Sequence, residues 1–230
     1  MIATTGGSGP HAGQPVITRG TPLATASAAL IMLHGRNAGP QNILELAGPL
    51  EHPAFAFLAP AAAQQTWYPQ SFMQPRVSNE PFLSSALEVV QRLIEQVAGE
   101  GVPRERIMLL GFSQGACLAL ESGYLTARRA PGQVASFPVG GIIGFSGGLI
   151  GAPGTRWGDD GHFAGAPVFL GCSDVDAHIP KERVEETAAV FTRLGADVTL
   201  RLYPGMGHLV NDDELASART LMDRVARGAG

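Results

Sequence analysis

"RIMLLGFSQGACLALESGYLTARR", residues 106–129, carries an apolar run into a Gly-x-Ser-x-Gly turn and on into a stretch that continues as a helix. A short continuous apolar run bounded by turn residues reads as a strand buried on both faces. A strand that turns sharply into a helix is the nucleophile-elbow arrangement: the serine projects above the sheet, and the next residue's N–H stands where it can cradle an oxyanion. Glycines flank such a serine because the turn brings backbone too close for a Cβ. Ser113 meets each of these needs.

"GFSGG" at 144–148 has the same pattern and also follows an apolar run, but "GGLIGAPG" behind it cannot make a helix. Ser146 therefore reads as a strand-end residue beside the site, and Ser113 as the nucleophile. The competing reading of Ser113, a helix N-cap closing a tight turn, yields only because the other parts of a site are present.

On either side of the elbow, short apolar runs alternate with longer stretches of helical periodicity, the sequence sign of βαβ units around a largely parallel sheet. Strands are expected at 28–35, 54–61, 106–112, 139–146, 167–173 and 198–204, with 14–20 as an edge strand whose proline suits an edge. Helices are expected at 82–101, 114–129, 180–194 and 211–227, the first with Leu83, Leu87, Val90, Leu93, Ile94 and Val97 on one face. Pro180 is expected in a first turn. Regions 62–80 and 147–166 carry turn formers and aromatics without periodicity and read as loops, each too short for a cap domain.

A chain of 230 residues, 45% hydrophobic, suits one large α/β domain spanning 1–230, with 1–13 as a flexible N-terminus. Sixteen basic against twenty acidic residues leave a net charge of −4, with no basic footprint for nucleic acid. The apolar runs are far shorter than the roughly 20 residues of a membrane span. "MIATTGGSGPHAGQP" has neither the basic nor the apolar region of a secretory signal, so a cytoplasmic protein is expected. Cys117 and Cys172 form no metal-binding spacing and read as buried free thiols. No phosphate-cradling, dinucleotide or HExxH element is present. No metal and no organic cofactor is expected.

A serine hydroxyl needs a base within hydrogen-bond reach, itself oriented by a carboxylate, and in this chain order acid and histidine follow the serine. His208, in the glycine-rich "YPGMGHLVNDDE" between the last strand and last helix, takes the place of a loop-borne base. His162 and His178 stay open as groove residues. "VFLGCSDVDAHIP" offers two acids, Asp174 and Asp176, past the end of a strand.

Taken together, "IMLHGRNAG" (31–39), "GFSQGA" (111–116), "DAHIP" (176–180) and "YPGMGH" (203–208) resemble the phospholipase/carboxylesterase family of α/β-hydrolases, in its order and spacing over about residues 28–225. The resemblance implies an α/β-hydrolase fold: a mostly parallel central sheet with helices on both faces and no separate cap domain. It also selects Asp176, four residues before the proline, over Asp174, which becomes a loop-capping or surface carboxylate. The implied oxyanion hole is the backbone N–H of Arg36 and of Gln114, with His34 structural. Two features depart from the family: "CS" at 172–173, where a His-Gly pair is frequent, and the "TWYPQSF" loop, which suits a bacterial subset.

The function so implied is cleavage of small-molecule carboxylic esters with an apolar acyl or aryl group, by Ser113, His208 and Asp176 through an acyl-enzyme. Trp67, Tyr68, Phe72, Leu149, Ile150 and Phe163, from the two loops above the sheet's carboxyl edge, are expected to line the groove. The alternatives are a thioesterase or lysophospholipase acting on long acyl chains and, disfavoured by the complete Ser, Asp and His set, a catalytically silent binding protein. Because relatives often pair, a homodimer is the assembly the resemblance implies.

Overall fold

The computed structural model describes residues 2–3, 9–128 and 139–228. Eight strands form one sheet in the order β1 (Ile2–Ala3), β2 (Pro15–Gly20), β4 (Phe55–Pro60), β3 (Ala28–Leu33), β5 (Ile107–Phe112), β6 (Gly141–Phe145), β7 (Pro167–Ser173), β8 (Asp197–Tyr203). Strands β3 to β8 run parallel, and β1 and β2 are antiparallel to their neighbours. Every residue of β3, β4, β6 and β7 is buried, which is why these segments read as continuous apolar runs. At the far edge, β8 alternates exposed and half-buried residues instead.

Helices α2 (Phe82–Gly99), α3 (Gln114–Ala127) and α4 (Lys181–Arg193) share one apolar core with the sheet. Helices α1 (Pro40–Leu44) and α5 (Asp212–Arg227) share a second core on the other face. The two-sided covering of an α/β-hydrolase sheet follows. Leu83, Val90, Leu93, Ile94 and Val97 of α2 are buried as their spacing predicts, with Leu87 half-buried. Pro180 stands just before α4, at its N-cap. Residues 62–80 contain two short 3₁₀ turns, residues 147–166 contain neither helix nor strand, and among the described residues there is no separate cap.

Three details differ from expectation. Strand β2 is not outermost, because Ile2 and Ala3 pair with Val16 and Pro15. The five-residue α1, with Pro40 at its start, is too short to show periodicity and was not expected. The loose N-terminus expected over 1–13 lies in part outside the described residues; within it His11 is fully buried. No helix among the described residues is long and apolar enough to cross a membrane.

Candidate active site

Strand β5 ends at Phe112, and the chain reverses through Ser113, at φ +56°, before α3 begins at Gln114. The Ser113 N–H donates to Phe145 O at 2.9 Å, tying the turn to β6. A Cβ at Gly111 would lie 2.2 Å from Gly115 O, and one at Gly115 would lie 2.0 Å from Leu33 O. The helix start is thus pressed onto the backbones of β5 and β3, which is why glycine stands on both sides of the serine.

Ser146 bends the chain in the same way, at φ +50°. Its N–H donates to Gly171 O at 2.7 Å, but no helix follows and the residue is fully buried. The two motifs share a turn; only Ser113 faces open space.

His208 comes from the loop between β8 and α5. Asp174 Oδ1 accepts from Gly205 N at 2.8 Å, and Ser173 Oγ from Gly207 N at 3.0 Å. At the far end Asn211 and Glu214 cap each other's N–H at 2.8 Å. So held, His208 places Nε2 at 2.9 Å from Ser113 Oγ and Nδ1 at 2.7 Å from Asp176 Oδ2. The Asp176 side chain has no solvent exposure, and its other oxygen accepts from the N–H groups of His178 and Ile179 at 2.8 and 3.0 Å. Burial pushes the Asp176 carboxyl up, but the bond from His208 and those two N–H groups outweigh it and hold it below the ordinary carboxylate value. An ionised carboxylate only accepts, so Nδ1 carries the ring proton and Nε2 presents a lone pair to the Ser113 hydroxyl.

The Gln114 N–H opens α3 and so has no intrahelical acceptor. Among the described residues neither it nor the Arg36 N–H donates to a backbone carbonyl. Both side chains bind residues 66–70. Gln114 Oε1 accepts from Trp67 N at 2.9 Å and Thr66 Oγ1 at 3.2 Å, and its Nε2 donates to Tyr68 O at 2.8 Å. Arg36 donates to Pro69 O at 2.9 Å and Gln70 O at 2.8 Å.

Behind that loop lie two buried histidines. His34 accepts from Ala62 N at Nε2 (3.1 Å) and donates from Nδ1 to Gly35 O (2.8 Å), while Trp67 stacks on it at 4.9 Å and donates to its carbonyl. His11 accepts from Ala63 N at Nδ1 and donates from Nε2 to Trp67 O. In each ring one nitrogen accepts a backbone N–H, which only a neutral imidazole can do. Burial accordingly pushes both below the usual histidine value.

Once the pH drops below about 6.5 the unfolded chain binds protons there that the folded chain refuses, so stability falls as pH falls from that point towards the lowered folded values. Glu214, pushed up to about 7 by burial, acts oppositely, because its folded form keeps a proton that the unfolded chain loses. The measurement is therefore a difference: Tm of wild type and His34→Gln between pH 7.5 and 5.5. The wild type is expected to lose more of its Tm on acidification than the variant does.

A cavity of about 980 Å³ opens over Ser113. Tyr68 and Phe72 are in its lining, with Arg36 and Gln114. Trp67, Leu149, Ile150 and Phe163 are not; all four are fully buried in the core. The Leu149 and Ile150 N–H groups donate to Thr187 Oγ1 and Glu121 Oε2, and the buried Arg183 donates to the carbonyls of Leu149 and Gly151, which draws this loop onto α3 and α4. Phe163 stacks on Phe191 of α4 at 4.7 Å.

The apolar lining comes instead from Ile43 and Leu46 near α1, Phe112 of β5, and Ile179, Leu209 and Val210 beside Asp176 and His208. The last three were findable, since each lies within three residues of a proposed catalytic side chain. His178 lines the cavity, whereas His162 turns its Nδ1 to the Ala164 N–H within its own loop. Burial pushes the thiols of Cys117 and Cys172 up to about 12, leaving both neutral. Among the described residues no group of three or more His, Cys, Asp or Glu side chains is placed to hold a metal ion.

A sequence profile described as Phospholipase/Carboxylesterase matches residues 15–225. Acyl-protein thioesterase 1 of Eremothecium gossypii is 32% identical over 152 residues, covering 61% of this chain and 58% of that protein. The chain spans about half the length of the curated relatives it matches. Among solved structures, a phospholipase/carboxylesterase from Dyadobacter fermentans is 37% identical, with a TM-score of 0.83 over 92% of this chain and 97% of that one. Acyl-protein thioesterase 2 of Zea mays, 16% identical with a TM-score of 0.71 over 93% of this chain and 99% of that one, shares the fold.

Proposed function

The chain belongs to the phospholipase/carboxylesterase family, and from that premise we propose that it is a serine hydrolase cleaving carboxylic esters with an apolar acyl or aryl group. The observation that carries the reading is the pair of contacts made by His208, 2.7 Å to Asp176 and 2.9 Å to Ser113, at the carboxyl end of β5.

His208 Nε2 takes the proton from Ser113 Oγ as the oxygen attacks the ester carbonyl. The oxyanion is held by the N–H groups of Arg36 and Gln114, donors already in place before charge develops. Asp176 holds the ring orientation and balances the imidazolium. The tetrahedral adduct collapses to an acyl-Ser113, and His208 returns its proton to the departing alcohol. Water then enters against the acyl group, gives its proton to His208 and releases the acid, with Ser113 recovering its hydroxyl proton. Each step uses only groups of this chain and water.

A thioester or lysophospholipid substrate is the second reading, favoured by the similarity to acyl-protein thioesterase 1. The cavity volume stands at the upper end of the roughly 300–1,000 Å³ of small-ligand sites. Its walls mix aliphatic and aromatic side chains with polar ones, Asn37, Asn42, Gln70 and Ser71 among them. We expect p-nitrophenyl esters from acetate to palmitate to show a kcat/KM maximum at short to medium acyl length. A maximum at palmitate, with acyl thioesters turned over faster than matched oxygen esters, would transfer the assignment to the second reading.

A further inference from the structure

We infer that His178 is a positioning residue for His208; this rests on the reading of Ser113 and His208 as the reacting pair. The two nitrogens of the His208 ring are fixed in its plane by Asp176 and Ser113. Out-of-plane tilt is opposed by neighbouring rings. Phe112 lies 4.8 Å away at 36°, and His178 meets His208 edge-on at 4.8 Å and 65°. His178 also donates its backbone N–H to Asp176 Oδ1 at 2.8 Å. One residue therefore touches both the acid and the base, by backbone and by side chain respectively.

Its ring is exposed and lines the cavity beside His208. The ring is the support that a substitution at 178 removes, while the backbone N–H to Asp176 stays in place.

The test is kcat and KM at pH 8 for a short p-nitrophenyl ester with wild type, His178→Ala and His178→Phe, folding of each being checked by its Tm. His178→Ala, which keeps the backbone N–H to Asp176 but removes the ring, should lose about five- to tenfold in kcat with little change in KM. His178→Phe, which restores a ring against His208, is expected to recover most of that loss. A folded His178→Ala with wild-type kcat, or a folded His178→Phe no better than His178→Ala, overturns the positioning role. A fluorophosphonate probe on the wild type separates this from the underlying reading: with no adduct on Ser113 and no ester turnover, it is the serine-hydrolase assignment that fails.

Discussion

Ser113→Ala will lower kcat/KM for any ester the enzyme accepts by about 10⁴- to 10⁶-fold, the range for removing a nucleophile that acts as one unit with its base. Ser146→Ala, by contrast, will stay within a few-fold of wild type. The comparison isolates position, because both serines end a strand in a Gly-Phe-Ser-x-Gly motif and both have a left-handed φ. Only Ser113 has an imidazole at 2.9 Å and an N-terminal helix N–H next to it. Steady-state rates alone would mix in trace wild-type enzyme at this sensitivity, so active-site titration of each preparation belongs with the measurement. Equal losses in the two variants would remove the elbow as the explanation.

Asp176→Asn is expected to cost about 10⁴-fold in kcat with the fold unchanged, through the tautomer of His208. The local bonds dictate how the asparagine sits. Oδ1 of residue 176 receives the N–H groups of His178 and Ile179, so the amide oxygen must stay there and the NH₂ must replace Oδ2. That NH₂ donates to His208 Nδ1, where the carboxylate accepted. The ring proton moves to Nε2, facing Ser113 Oγ, and the base is blocked. Asp174→Asn is the control: its Oδ1 accepts the Gly205 N–H, which an amide oxygen serves equally, so turnover should change less than about threefold. A similar loss in both variants would contradict the choice between the two acids.

The sheet was legible because parallel strands covered on both faces must be apolar throughout, and β3, β4, β6 and β7 are. The elbow was legible for a steric reason, since Gly111 and Gly115 mark places where backbones nearly touch. The cavity wall was much less so. Trp67, Leu149, Ile150 and Phe163 were expected there because they sit in aperiodic loops above the sheet, but a loop's composition does not say which way its side chains turn. Arg183 and Glu121, two buried charged residues on helices, draw the 149–151 segment inward. Nothing in the local sequence reveals that pull. Ile43 and Leu46 escaped for the opposite reason, lying in turns of helix too short to show a period.

The side chains of Arg36 and Gln114 grip residues 66–70 through five hydrogen bonds. The same two residues supply the N–H groups proposed to hold the oxyanion. On that proposal, substrate choice and rate are not separately adjustable. A change that reshapes the Tyr68–Phe72 wall for a bulkier acyl group also pulls on the donors, so variants selected for new substrates should be slower on every substrate. Recovering speed would then require compensating changes at positions 36 and 114, or in the carbonyls they hold, before the new preference could become useful.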